Sequence, residues 1–178
     1  MKRPKLISSE TVLQGFVTVT KDKLLFDDAH TMDYFVIRVP NESVIVVALS
    51  PEGTFLVTRE YRHAVGQEVY GFAGGLMDEG ESPIQAAERE LLEETGCSAE
   101  GFELLGSFYA HPGMVAQKIS IVLARGVRKM DNARLDASEI ITSAFYTKEA
   151  LYDLLRKGYA ADAAMLAALE LLSIASVT

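Results

Sequence analysis

Over roughly the first 70 residues the pattern of apolar and polar positions is mostly that of strands, and the period then lengthens to that of a helix. Val12–Val19 is rich in β-branched residues and alternates loosely, which predicts a strand. Asp33–Val39 (DYFVIRV) predicts another, and a Pro40-Asn41 turn leads from it into Ser43–Leu49 (SVIVVAL), apolar enough to be buried on both faces. Pro51-Glu52-Gly53 is turn chemistry that folds Thr54–Glu60 (TFLVTRE) back as a hairpin. Gly71, Gly74, Gly75 and Gly80 then make a glycine-rich loop. After it Ser82 is placed as an N-cap, Pro83 suits the first helical position, and Gln85 completes a capping box. That helix runs to about Thr95, with Gly96 as its left-handed stop. Phe102–Tyr109, Ile119–Ala124 and Ile140–Tyr146 predict further strands. Two helices close the chain, one capped by Thr147 and ended by Gly158, the other over roughly Asp162–Ser173. The long apolar stretch Ala160–Val177 is broken by Asp162 and Glu170, and Met165, Leu169 and Leu172 recur at i, i+4, i+7; this predicts a docked helix, not a membrane span. The pattern as a whole is a mixed α/β domain, strand-rich at the front.

Length adds that 178 residues suit a single domain, 1–178. Charge changes the picture more. Seventeen Lys and Arg against 25 Asp and Glu leave a net −8, so a phosphate-grasping basic surface is not expected and nucleic acid is disfavoured as a partner. An anionic substrate then needs a compact site or a divalent cation to neutralise it. One cysteine permits no internal disulfide and fits a reducing cytoplasm, and the basic start MKRPKLISSE is followed by no apolar core of a signal peptide.

The chemistry concentrates in Gly75–Cys97, GLMDEGESPIQAAERELLEETGC. At about 100° per residue, Glu94 lies roughly 40° from Glu90 around the helix and Glu93 roughly 60° to the other side. Three carboxylates therefore share a face, while Ile84, Ala87 and Leu91 form an apolar stripe. Like charges so placed destabilise a helix by a few tenths of a kcal/mol. Within the helix Arg89 is placed to reach Glu93 and no other member of the trio. The face is either a solvated acidic surface or a seat for a hard divalent cation, which takes carboxylate oxygens together with phosphates and water.

The spacing decides between them. Gly75, five residues, Glu81, seven residues, Arg89-Glu90-Leu91, one residue, Glu93-Glu94, one residue, then Gly96-Cys97 is the pattern of the Nudix box (75–97), and the chain resembles the Nudix hydrolases. Seven fixed residues at roughly 5–7% each coincide by chance on the order of 10⁻⁹ per starting position. Cys97 stands where the family usually has an aliphatic residue, and a small buried cysteine serves there. The resemblance implies an α/β/α sandwich with a mixed β-sheet. It also implies Mg²⁺ (or Mn²⁺) and attack of water at phosphorus on a nucleoside diphosphate linked to another group. By position, Glu90 and Glu94 would be the principal metal ligands, with Glu93 assisting and the carbonyl of Gly74 completing the site. Arg89 would orient Glu93, and Glu81 would support the loop or touch a metal-bound water.

Outside the box, Arg59-Glu60-Tyr61-Arg62, Gly71–Gly75, Pro112 and Asp162-Ala163 resemble the ADP-ribose pyrophosphatases. The run GFAGGLMDEGES, with the proline-to-lysine spacing of Pro112 and Lys118, looks more like the ADP-compounds hydrolase subgroup, whose substrates include ADP-ribose, NADH and diadenosine polyphosphates. By that likeness Arg62 would contact the diphosphate or the terminal ribose, its plainer alternative being a surface ion pair. His111, Met114 and Gln117 would face the substrate from the loop after the box. Gln117 occupies or adjoins the place of the pyrophosphatases' glutamate, and an amide cannot act as a base. The base is then Glu93 or cation-activated water alone, Glu139, or an arrangement helped by Gln117. His30, His63 and Cys97 read as ordinary loop and packing residues, and Tyr34, Tyr61, Tyr70 and Phe72 as core aromatics or a face for adenine. A house-cleaning nucleoside triphosphate pyrophosphatase and a non-catalytic ADP-ribose sensor are the alternatives. Branch relatives imply a homodimer with an N-terminal antiparallel β-extension, for which residues 5–35 are suited.

Overall fold

The computed structural model describes residues 3–27, 29–130 and 141–175. The described residues form two compact units, one drawn from 3–42 with 109–118 and the other from 43–108 with 119–130 and 141–175.

The first unit is a three-stranded antiparallel sheet, β1 (Lys5–Gln14), β2 (Thr18–Leu25) and β3 (Thr31–Arg38), in that order. The expected strand Val12–Val19 is split instead between β1 and β2, because Gly15 turns the chain and its N–H bonds the carbonyl of Val17 at 3.1 Å. β-Propensity alone runs through such a turn, since Phe16 and Val17 are good strand formers. The segment 109–118 is pinned to β3. Ile37 N–H donates to the Met114 carbonyl at 2.8 Å, Ala116 N–H to the Ile37 carbonyl at 2.9 Å, and the Tyr34 hydroxyl to the Gly113 carbonyl.

The second unit is an α/β/α sandwich. Its six-stranded mixed sheet runs β11 (Ile141–Tyr146), β5 (Phe55–Arg62), β4 (Ser43–Leu49), β9 (Lys118–Arg125), β8 (Gly101–Tyr109), with β6 (Gln67–Gly71) also on β5. β4 and β9 pair in parallel, and the β5 pairings are antiparallel. Helix α1 (Pro83–Thr95) covers one face, where Ala86, Ala87 and Leu91 pack with Val44, Val46, Leu56 and Val122. Helices α2 (Lys148–Arg156) and α3 (Ala163–Ala175) cover the other, where Leu151, Met165 and Ala168 meet Val47, Val57 and Ile121. This is why Ser43–Leu49 lacks alternation: Val46, Val47 and Ala48 are all 0–1% exposed. A small ladder joins β7 (Cys97–Ser98) to β10 (Arg128–Lys129). Strand β6 had no pattern of its own to announce it; its exposed residues are held by pairing to β5. In the expected apolar stripe of α1, Ala87 and Leu91 are buried but Ile84 is 38% exposed. Among the described residues no helix is long and apolar enough to cross a membrane.

Candidate active site

The box folds as loop, helix, loop. Ser82 caps α1 by accepting from Gln85 N–H at 3.3 Å, and Gln85 Oε1 accepts in return from Ser82 N–H at 3.0 Å. At the other end Gly96 is left-handed (φ 67°) and its N–H reaches the Leu92 carbonyl. Both ends are thus fixed by backbone chemistry, which sets the azimuth of each glutamate.

The preceding loop lies against the helix at two glycines. Gly74 N–H donates to Glu94 Oε2 at 3.1 Å. A Cβ on Gly74 would stand 2.2 Å from the Val44 carbonyl oxygen, so only glycine lets the loop lie on β4. A Cβ on Gly75 would stand 2.4 Å from Glu90 Oε1, so the Glu90 carboxylate occupies the space that a side chain would fill. Glu90 and Glu94 therefore reach two adjacent residues of one loop. Glu90 is buried, Glu94 half-buried and Glu93 exposed.

Arg89 does more than its place in the helix suggests. Its Nε and one terminal nitrogen grip Glu81 at 3.1 and 2.9 Å, and the latter also donates to the Leu76 carbonyl at 3.0 Å. Its other terminal nitrogen bonds Glu90 Oε1 at 2.8 Å and Glu93 Oε2 at 3.1 Å. The expectation that it reaches Glu93 alone is thereby corrected. Glu90 is adjacent in sequence, and the guanidinium fork spans both carboxylates because the loop presents Glu81 from the far side. The hydrogen bond from Arg89 holds the Glu81 carboxyl below its ordinary value, against the opposing effect of burial. Glu81 foremost, and then Glu90 and Glu93, hold the guanidinium charged above its usual value. Glu81 also accepts from Asp78 N–H at 2.8 Å, so it ties the loop down.

One guanidinium amid Glu81, Glu90, Glu93 and Glu94 leaves the cluster short of positive charge. Among the described residues no three Asp, Glu, His or Cys side chains form a ready-made metal cage. The donor set nonetheless fits a hard divalent ion that binds through one or two carboxylates and completes its shell with water and phosphate.

Arg62 ends β5 and pairs with Glu60 at 2.9 Å, with its side chain 53% exposed. Both residues line a cavity that Gly74 also lines. The Glu60 partnership was legible in the sequence, since residues two apart on a strand share a face. His111 and Met114 are exposed in the loop of the first unit, where residues 110–115 line an open hollow of about 680 Å³. Gln117 is half-buried in the same segment. Glu139 lies outside the described residues.

Residues 39–169 match the family model of the NUDIX domain. The chain belongs to the Nudix family. As a Nudix hydrolase it is an enzyme that acts on phosphoric anhydrides, cleaving nucleoside diphosphate derivatives, and its family generally uses divalent metals. It is 31% identical over 139 residues (77% of this chain, 75% of the relative) to the methanol dehydrogenase activator of Bacillus methanolicus. It is 33% identical over 128 residues (70% and 68%) to the ADP compounds hydrolase of Escherichia coli K12. A crystal structure of an ADP compounds hydrolase superposes with a TM-score of 0.86 at 27% identity, over 97% of this Nudix hydrolase and 94% of that chain.

Proposed function

We propose that this enzyme cleaves the diphosphate of ADP-ribose or a similar nucleoside diphosphate sugar, releasing a nucleoside monophosphate and a phosphorylated moiety. The convergence of Glu90 and Glu94 on the Gly74-Gly75 loop carries the assignment, because it gathers hard oxygen donors in an otherwise acidic cluster. The likeness to the ADP compounds hydrolases supports the choice of substrate. Glu90, Glu94 and the Gly74 carbonyl would hold Mg²⁺ or Mn²⁺, with Glu93 assisting. The ion would neutralise phosphate charge and favour attack of water at phosphorus. Arg89 fixes the carboxylates of Glu90 and Glu93 and keeps Glu81 ionised under the loop. Arg62 would orient the diphosphate, and His111, Met114 and Gln117 are the further candidate substrate contacts. Glu93 and Glu139 are the candidate bases.

We place the enzyme in the cytoplasm as a single-domain chain acting as a homodimer. Leu6, Ile7, Val12 and Leu13 of β1 are each about half exposed, as is Phe35 of β3, an apolar surface suited to a second copy. Light scattering showing a monomer would reject the dimer.

The test of function is a hydrolysis panel with Mg²⁺ and with Mn²⁺, covering ADP-ribose, a GDP-hexose, NADH, a diadenosine polyphosphate and dNTPs. AMP and ribose phosphate from ADP-ribose are expected. Pyrophosphate released from a dNTP in preference would overturn the substrate choice, and binding of ADP-ribose without turnover would overturn the activity.

A further inference from the structure

Gly71 lies in β6, where a glycine weakens the strand, and neither common reason for one applies. Its backbone is not among the left-handed positions. A Cβ built there would meet Thr58 Oγ1 at 3.6 Å and Asp162 Cβ at 3.8 Å, both ordinary contacts. The protein itself thus has room for alanine, unlike at Gly74 and Gly75. What the missing side chain preserves is space. Gly71 borders a cavity of about 30 Å³ that Thr58, Glu60, Arg62, Gly74 and Asp162 also line.

That volume takes about two water-sized groups, enough for a hydroxyl or hydroxymethyl. The chemistry of the walls agrees. Thr58 can donate or accept, and Glu60 and Asp162 as carboxylates only accept, so they favour donors and repel anions. Asp162 Oδ1 already accepts from Ala164 N–H at 2.7 Å at the start of α3, which fixes the carboxylate in place. Arg62, from the same face of β5 as Thr58 and Glu60, supplies the cation for a neighbouring phosphate.

We propose that Gly71, Thr58 and Asp162 form a specificity notch that receives a sugar hydroxyl of the group beyond the diphosphate. The notch rests on the function proposed above and narrows it: substrates ending in a polyol are selected over those ending in an alkyl group or a bare phosphate.

The test compares kcat/KM for ADP-ribose with that for the methyl ester of ADP, which keeps the diphosphate and has no distal hydroxyl. The wild type should prefer ADP-ribose at least tenfold. Gly71→Ala, whose methyl enters the notch, should contract that preference to below threefold. Thr58→Val, which keeps the shape and removes the hydroxyl, should contract it in the same direction. A preference unchanged in both variants, or both substrates slowed by the same factor, would assign these residues to packing and overturn the notch alone. No hydrolysis of either ester by the wild type would overturn the proposed function and the notch together.

Discussion

Arg89→Ala removes the one cation that holds the box together, and its cost can be worked from the contacts. The lost hydrogen bonds go to Glu81, Glu90, Glu93 and the Leu76 carbonyl. The Glu93 side chain is 49% exposed, so that leg contributes about 0.5 kcal/mol or less. The Glu81 and Glu90 side chains are 13% and 10% exposed, and stranding such carboxylates costs about 3–5 kcal/mol. With Arg89 itself 26% exposed we take the lower end, about 3 kcal/mol, or roughly 6–12 °C in melting midpoint for a chain of this size. The assay is guanidinium unfolding in chelator, so that no metal replaces the missing charge. The pH dependence gives a second readout. Glu81 has a folded pKa held below its ordinary 4.5 by Arg89, so its stabilisation is full above that value and is lost as pH falls through the depressed one. The wild-type advantage over Arg89→Ala should therefore be full at pH 7 and shrink below about pH 4.5. A loss under about 1 kcal/mol at pH 7, or a loss that stays constant to pH 3.5, would refute the clamp.

Gly75→Ala should displace the Glu90 carboxylate, which a Cβ would approach to 2.4 Å, and weaken Mg²⁺ binding by roughly tenfold or more in calorimetry while the far-ultraviolet dichroism stays native. Unaltered Mg²⁺ affinity would remove Glu90 from the metal site. Glu94→Gln should lower turnover at least about 100-fold while ADP-ribose binding stays measurable, since an amide carries no charge for the ion. Turnover near the wild-type rate would end the assignment of Glu94 as a ligand. Ser82→Ala removes the acceptor for Gln85 N–H and should cost about 1 kcal/mol in urea unfolding with substrate KM little changed. A neutral result would mean that the proline at the first helical position suffices to start α1.

The local sequence determined the parts whose physics is local. The capping box at Ser82, the left-handed stop at Gly96 and the helical spacing of Glu90, Glu93 and Glu94 all follow from bonds within one turn, and all stand in the structure. The box spacing likewise carried the family, because it fixes both the loop length and the helix azimuth. Tertiary structure decided what depends on distant partners. Gly15 turns the chain inside a run of good strand formers, and β6 is set by its pairing to β5 and by the hydrogen bonds of Tyr70 to Ala160 and Asp162. Arg89 reaches Glu90 and Glu81 together only because the loop before the helix folds back across it, a closure no helical wheel contains. The same holds for the two glycines. Spacing marked Gly75 as the first residue of the box, but the backbone approach of Val44 that requires glycine at Gly74, and the seating of the Glu90 carboxylate against Gly75, arise only when β4, the loop and α1 are packed in one unit.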